Sequence, residues 1–484
     1  MKKFLLLACL SCGFLTAAAQ QLRTAYFMDK ATLRTSMNPA FRPVRGFVAI
    51  PAAGSVSAMY ASNGMALGDL FYRTDGRLVT FMDPSVPAES FLRRLKTNNQ
   101  LNADIATEIV SAGWFSGHGF WTIGIGVKGT VSGNVPKSLF EFMKYGSGPE
   151  GTTYDIKKLH VYADFYVDVS VGYSHPLNGR WTIGGKYKFL VGAGNADVYF
   201  NNLHAVMNGD AWRITSEGYM SASVQGLRPK FSTDKNDREY IDGFDYHSPG
   251  AAGYGSAIDF GATFKVLDNF TVSGAVIDFG FITWSKRSTV NGAAKGDFDF
   301  DGFDLPIGDD QPDNSMSDQM DDLTGNLQNL FHFSETPSRS RTTLLRSTIN
   351  VGAEYSVAQN RVGFGLLSST RIYKPKIYTE LTASVNYRPI DWFAAAVSYS
   401  FVHSAFKTFG FALNFSPSWI NFFVGSDYMF TKVNPQFIPI KASAANLYFG
   451  LSVPLRKERH WGCECASANP ADVRRSLWAA VYQL

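Results

Sequence analysis

The sequence predicts an all-β chain, a transmembrane antiparallel β-barrel of about 14 strands. Three observations carry that expectation. The first is composition: 484 residues with 45% hydrophobic, 14% aromatic and only 18% charged content, rich in Phe (39), Tyr (22) and Gly (44). Soluble domains carry about a quarter charged residues, so this chain is short of charge without being disordered, coiled-coil or a disulfide scaffold. The second is that no run of about 18 apolar residues follows the leader, which excludes a spanning helix. The third is strict apolar/polar alternation joined by turns that are short and long by turns. A soluble sandwich or propeller shares the alternation, but no regular repeat period accompanies it.

Residues 1–19 read as a cleavable secretory signal. Lys2 and Lys3 give the positive start, Phe4 to Leu15 the apolar core, and Ala17-Ala18-Ala19 before Gln20 the cleavage site. Leu6-Leu7-Ala8-Cys9 resembles a lipoprotein box, but cleavage there leaves an apolar core of only about five residues. Cys9 and Cys12 fall inside the leader, Cys463 and Cys465 near the end, and residues 20–462 hold no cysteine. Such avoidance fits a chain folding in an oxidising space. A lone Cys-x-Cys pair is too few ligands for zinc. The charge of +4 comes from 45 basic and 41 acidic residues without a basic cluster, so nucleic-acid binding has no support.

Alternation is clearest in 164–174, where Phe165, Val167, Val169, Val171 and Tyr173 alternate with residues such as Asp168 and Ser170. It recurs at 121–132, 258–266, 409–415 and 447–453. Turn signals stand at 176–179, 267–269, 358–360, 389–391 and 416–418, and Trp181, Phe270, Trp392 and Trp419 lie beside four of them. Short turns on one side, long loops on the other and an aromatic girdle are the pattern of a membrane barrel. Up strands are expected near 46–60, 119–133, 180–200, 270–285, 361–372, 392–402 and 419–430. Down strands are expected near 101–114, 157–174, 253–266, 342–356, 377–388, 406–416 and 445–454. Segment 207–225 reads as an extracellular hairpin. With the apolar set toward lipid, Lys128, Lys265, Glu380, Arg388 and Asp427 face a polar lumen.

Between the leader and the first strand stands Met37-Asn38-Pro39-Ala40-Phe41. Asn-Pro-Ala in that place, ahead of about 14 strands, resembles the FadL-like long-chain fatty-acid transporter superfamily. The resemblance implies that Asn38, Pro39 and Ala40 belong to an N-terminal hatch inside the barrel, and that hydrophobic compounds pass through. A periplasmic lead-in turn is the other reading of the tripeptide. The phrase from Gly255 to Asn269 is similar to a strand-turn in Bacteroidota outer-membrane relatives, among them a domain-of-unknown-function family extending to about residue 455. No basic cluster awaits a carboxylate headgroup, which leaves the substrate open.

Residues 286–341 are expected to form the longest gap between strands, functional or disordered. Asp297, Asp299 and Asp301 precede Gly302 in calcium-loop style, but the twelfth position is Gly308, which argues against an EF-hand and leaves surface calcium or a solvated acidic loop. Met316, Met320, Leu323, Leu327 and Leu330 follow helical spacing, for a hydrophobic capture site at the mouth or for packing on neighbouring loops. Segments 90–95 and 139–143 read as smaller helices of the same cap. No enzyme signature occurs; His403-Ser404 lies at an expected turn. The tail 456–484 changes character, either a periplasmic extension or an altered reading frame.

The expected organisation is leader 1–19, hatch 20–45, barrel 46–455 and atypical tail 456–484. The barrel would sit in outer-membrane lipid and pass small hydrophobic solutes without a cofactor, calcium aside. The rival is a non-conducting adaptor with a secretion or surface protein partner.

Overall fold

A wall with lipid outside and polar groups inside requires a period of two, because successive side chains of a strand point to opposite faces. The computed structural model, which describes residues 23–63, 65, 69–74, 77–83, 85–145, 151–208, 211–233, 237–300, 331–372, 377–402, 407–428 and 444–455, shows the wall so built. The leader, the 316–330 segment, Asp301, His403-Ser404 and the tail lie outside the described residues.

Fourteen strands make the barrel among the described residues. They are β1 (Phe47–Ala49 resumed at Ser55–Ser62), β2 (Asn98–Ser116), β3 (Gly119–Pro136), β4 (Thr153–Pro176), β5 (Trp181–Asn208), β6 (Gly253–Leu267) and β7 (Phe270–Trp284). The remainder are β8 (Arg341–Leu344 resumed at Ser347–Val357), β9 (Val362–Ile372), β10 (Ile377–Ile390), β11 (Phe393–Val402), β12 (Lys407–Phe415), β13 (Asn421–Ser426) and β14 (Ala444–Pro454). Each pairs antiparallel with the next, and Phe47 lies opposite both Pro454 and Gly113, which closes the ring. Closure leaves no unpaired edge in lipid.

Burial is inverted relative to a soluble protein. Phe364, Leu366, Leu381, Val397, Phe401 and Phe409 stand exposed on the outside, whereas Ser384, Asn386, Ser398, Ser400 and Asn414 are buried inside. Trp114, Trp121, Trp181, Trp392 and Trp419 ring the short-turn end, where indoles suit a membrane interface.

The wall is uneven in height. β4 has 24 residues and β5 has 28, well beyond the roughly 9–11 needed to span a bilayer. Their upper parts continue into a sheet with Ala211–Val224, Thr289–Phe300 and Ser334–Thr336. The described part of segment 207–225 is thus the end of β5 and the strand Ala211–Val224 paired antiparallel with it. The expectation of an unbroken loop over 286–341 is corrected: Thr289–Phe300 is strand, because Asp297-Phe-Asp299-Phe is itself a period-two sequence.

Two helices, α1 (Ala88–Leu92) and α2 (Lys137–Tyr145), pack on the inner face of this raised sheet. Phe81, Phe91 and Phe140 meet at centroid distances of 4.8–5.6 Å, and Phe142 lies edge-on to Trp212 at 4.1 Å. Ile156, Leu159, Phe200 and Leu203 complete this apolar cap. Trp284 seals a second cluster, fully buried, its indole N–H donating to Thr343 Oγ1 at 2.8 Å over a space that Gly192 leaves free. Trp284→Ala should lower unfolding stability in detergent by about 3–5 kcal/mol, read as a fall in the urea midpoint.

Candidate functional site

Residues 23–41 lie inside the barrel. Backbone bonds reaching three residues back (Tyr26 N to Arg23 O, Met28 N to Ala25 O, Ala31 N to Met28 O, Phe41 N to Asn38 O) let the segment satisfy itself as successive turns. It therefore needs no ladder to the wall. A short 3-10 helix, Thr32–Ser36, forms its middle. Tyr26, Phe27, Met28, Leu33, Met37 and Phe41 pack against Leu367, Ala396, Ala412, Phe423 and Tyr448. The wall admits them because Gly352 and Gly365 stand under Tyr26 and Phe27.

Three polar anchors fix the segment. At its start, Arg23 is 2% exposed and ion-paired to Glu380, which also takes Arg371 at 2.7 Å and the Tyr428 hydroxyl at 3.0 Å. Thr24 donates its N–H and hydroxyl to Asp427 at 2.8 and 2.7 Å, and its hydroxyl lies 2.6 Å from that of Ser398. In the middle, Asp29 is held by Arg34 at 2.8 Å and Arg388 at 3.4 Å, while Arg388 pairs with Glu354 at 2.6 Å and donates to Phe27 O at 2.5 Å. At the end, Asn38 is fully buried. Its Oδ1 accepts from Ala40 N–H at 2.9 Å, an Asx turn, and its Nδ2 donates to Gly274 O at 3.2 Å and Ala262 O at 3.4 Å. Asn38, Pro39 and Ala40 thus come together against β5, β6 and β7.

Burial pushes the Asp29 carboxyl up, but Arg388 and Arg34 more than offset it and hold it below the usual carboxylate range. A depressed folded-state value stabilises above the unfolded value and is lost as pH falls through the folded one. Protection of the segment from protease should therefore hold steady near neutral pH. The Asp29 contribution should decline only below about pH 4, and Asp29→Asn should remove that acid-side slope.

A second network lies across the lumen above Asn38. Lys188 pairs with Asp259 and Asp278 at 2.6 Å each, and Lys128 reaches Asp278 at 2.9 Å. Asp278 sits at φ 56°, inside a bulge where Ile258 faces Phe279 but Phe260 faces Val276. Its backbone N–H donates to Asp259 Oδ1 at 2.8 Å, so the carboxylates are locked to the wall's own irregularity.

Of the lumenal charges expected from sequence, Glu380, Arg388 and Asp427 anchor the N-terminal segment and Lys128 joins the second network. Arg23, Asp29 and Arg34, their partners, carry no local signal. Asp297 and Asp299 lie on the raised sheet instead, where Thr215 donates to Asp297 at 2.7 Å and Arg213 stands 3.6 Å from Asp299. They are not brought near Asn38, Pro39 and Ala40.

Solved structures similar in fold include the toluene transporter TodX of Pseudomonas putida, with a TM-score of 0.37 and 9% identity over 90% of this chain and 94% of that one. A FadL homologue of Pseudomonas aeruginosa gives 0.36 and 11% over 89% and 93%. The translocator domain of autotransporter NalP from Neisseria meningitidis gives 0.32 and 7% over 91% and 100%. No curated protein matches the sequence significantly. A family model matches residues 39–427, most of the chain, and the chain therefore belongs to that family, described as a family of unknown function, DUF5723.

Proposed function

We propose that this chain is an outer-membrane barrel that takes up small hydrophobic molecules passively, with residues 20–45 as its hatch. One observation carries the reading: an apolar cap, built by Phe81, Phe91, Phe140, Phe142 and Trp212, covers the tall side of the barrel, whose lumen holds a second apolar cluster around Tyr26, Phe27 and Phe41. The cap is closed, with Phe91 at 0% and Phe140 at 6% exposure, and gives an apolar solute a foothold once its members part, before the solute meets the hatch. The expected leader 1–19 supplies the route to the outer membrane. Liposomes carrying the barrel should admit a hydrophobic fluorescent dye, and deletion of Met28 to Arg42 should accelerate entry severalfold. Phe91→Asp should slow it. Equal dye entry into empty and barrel-bearing liposomes would defeat the reading.

A second reading, an adaptor for secretion or surface assembly, is favoured by the raised sheet. β4 and β5 with Ala211–Val224 and Thr289–Phe300 project beyond any membrane requirement. Co-purification of a stable partner, lost on removing 209–224 but unaffected by hatch deletion, supports it.

A further inference from the structure

The hatch does not use all of the lumen equally. On β8 to β12 the inward residues are buried, among them Asn350, Leu367, Asn386, Ala396 and Asn414. On β2 to β5 the inward residues Glu108, Thr122, Gly124, Ser170 and Lys186 keep partial exposure. Their outward neighbours Ile123, Ile125, Val169, Val171 and Tyr187 face lipid, which fixes the direction of this set. A polar trough therefore runs along the wall beside the hatch.

Its floor is made of small residues in register: Ser111 opposite Gly124, Gly124 opposite Ser170, Thr122 opposite Gly172, and Gly172 opposite Lys186. Lys186 folds over Gly172, its Cε only 3.3 Å from where a Cβ would stand, so the side chain leans into the trough. Its ladder neighbour Asp259 is no partner, because that carboxylate is committed to Lys188 at 2.6 Å. Lys186 makes no hydrogen bond or ion pair with any described residue. At the other end, Glu108 accepts from Ser111 Oγ at 2.7 Å and has no cation among the described residues. Three strand spacings of about 4.8 Å separate the strands that carry them. An unpaired charge inside a protein is costly, and here a cation at one end faces two carboxylates at the other, since Asp168, across Gly126 from Glu108, puts Oδ1 2.7 Å from where a Gly126 Cβ would stand.

We propose that this trough binds a small zwitterion, a short peptide whose terminal carboxylate meets Lys186 and whose terminal ammonium meets Glu108. The site is independent of hydrophobic passage and uses neither the cap nor the hatch anchors. The glycines allow a peptide backbone close approach, and the hydroxyls of Ser170 and Thr122 offer it hydrogen bonds.

Calorimetric titration of the purified full-length barrel with glycylglycine tests this. The dipeptide should bind at least tenfold more tightly than N-acetyl-glycylglycine, which lacks the ammonium, and than glycylglycinamide, which lacks the carboxylate. Lys186→Met should erase the preference over the amide alone, and Glu108→Gln the preference over the acetylated form alone. Lys186→Met should also leave the unfolding midpoint unchanged or raised, since it removes an unpaired charge. No heat with glycylglycine at about 10 mM, equal binding of all three compounds, or unaltered preferences in both variants would overturn the proposal. Hydrophobic-dye entry, measured on the same preparations, should not change in either variant, so failure here and failure of the uptake reading are separable.

Discussion

Glu380→Ala should release the N-terminal segment while leaving the barrel closed. Glu380 is 2% exposed and is shared by Arg23 and Arg371, with Tyr428 donating to its other oxygen. Removing it takes from Arg23 its nearest carboxylate, leaving Asp427 at 3.9 Å from Nε, and takes a carboxylate from Arg371; breaking a buried pair in this way costs about 3–5 kcal/mol. Arg23 bears the larger share, because Nε and Nη2 already have no hydrogen-bond acceptor in the structure. At about 1.4 kcal/mol per decade, the seated state should lose two to three decades of population. Trypsin reads this directly, since Arg23, Lys30 and Arg34 become cleavable only when the segment leaves the lumen. The barrel should still migrate as a heat-modifiable band, because none of its ladder bonds involve the removed carboxylate. Arg23→Met combined with Glu380→Leu should restore only part of the protection: an apolar pair replaces a charged one, but Arg371 and the Tyr428 hydroxyl still lose the carboxylate. Unchanged cleavage in Glu380→Ala would show that the apolar contacts of Tyr26, Phe27 and Phe41, with the anchors at Arg388 and Asn38, hold the segment without Glu380.

The strands were legible because lipid leaves a chain no alternative. Val169, Val171 and Tyr173 must face outward while Asp168 and Ser170 face in, and period two follows in every wall strand. Turn 176–179 and turn 389–391 were legible for the same reason, as punctuation between such runs. What the sequence conceals is pairing across the lumen. Arg23 and Glu380 are 357 positions apart, and neither residue nor its neighbours mark the match. Asn38 was visible only through its tripeptide; its role in bonding to Gly274 and Ala262 depends on how β6 and β7 are placed. The acidic run at 297–299 reads as loop because alternate Asp residues suit an acidic loop and a solvent-facing strand equally well. Its partner strand, with Thr215 and Arg213 opposite, lies some 80 positions away and decides between them.

Gly184→Val and Gly261→Val should each expel the Asn-Pro-Ala turn without any change in charge. A Cβ at Gly184 would overlap the Pro39 carbonyl and stand 2.6 Å from the Ala40 nitrogen. A Cβ at Gly261 would overlap Asn38 Oδ1 and stand 2.8 Å from Pro39 Cδ. In the first case both obstacles are backbone, which cannot rotate aside as a side chain can. Overpacking costs about 1–3 kcal/mol, and loss of the Asn38 hydrogen bonds adds about 1 kcal/mol each. The wall itself should tolerate valine, whose β-branched side chain suits a strand. Gly274→Val supplies the control, since a Cβ there meets nothing within 4 Å. Because residues 20–462 lack cysteine, Thr35→Cys in a chain without residues 1–19 and with Cys463 and Cys465 replaced by serine gives one reporter, buried at 7% exposure. A polar maleimide should label it slowly in the parent and in Gly274→Val, and at least tenfold faster in Gly184→Val and Gly261→Val. Should all four label alike, the turn is held loosely enough to yield to a valine, and the anchors at Glu380 and Arg388 together with the apolar contacts keep the segment in the lumen.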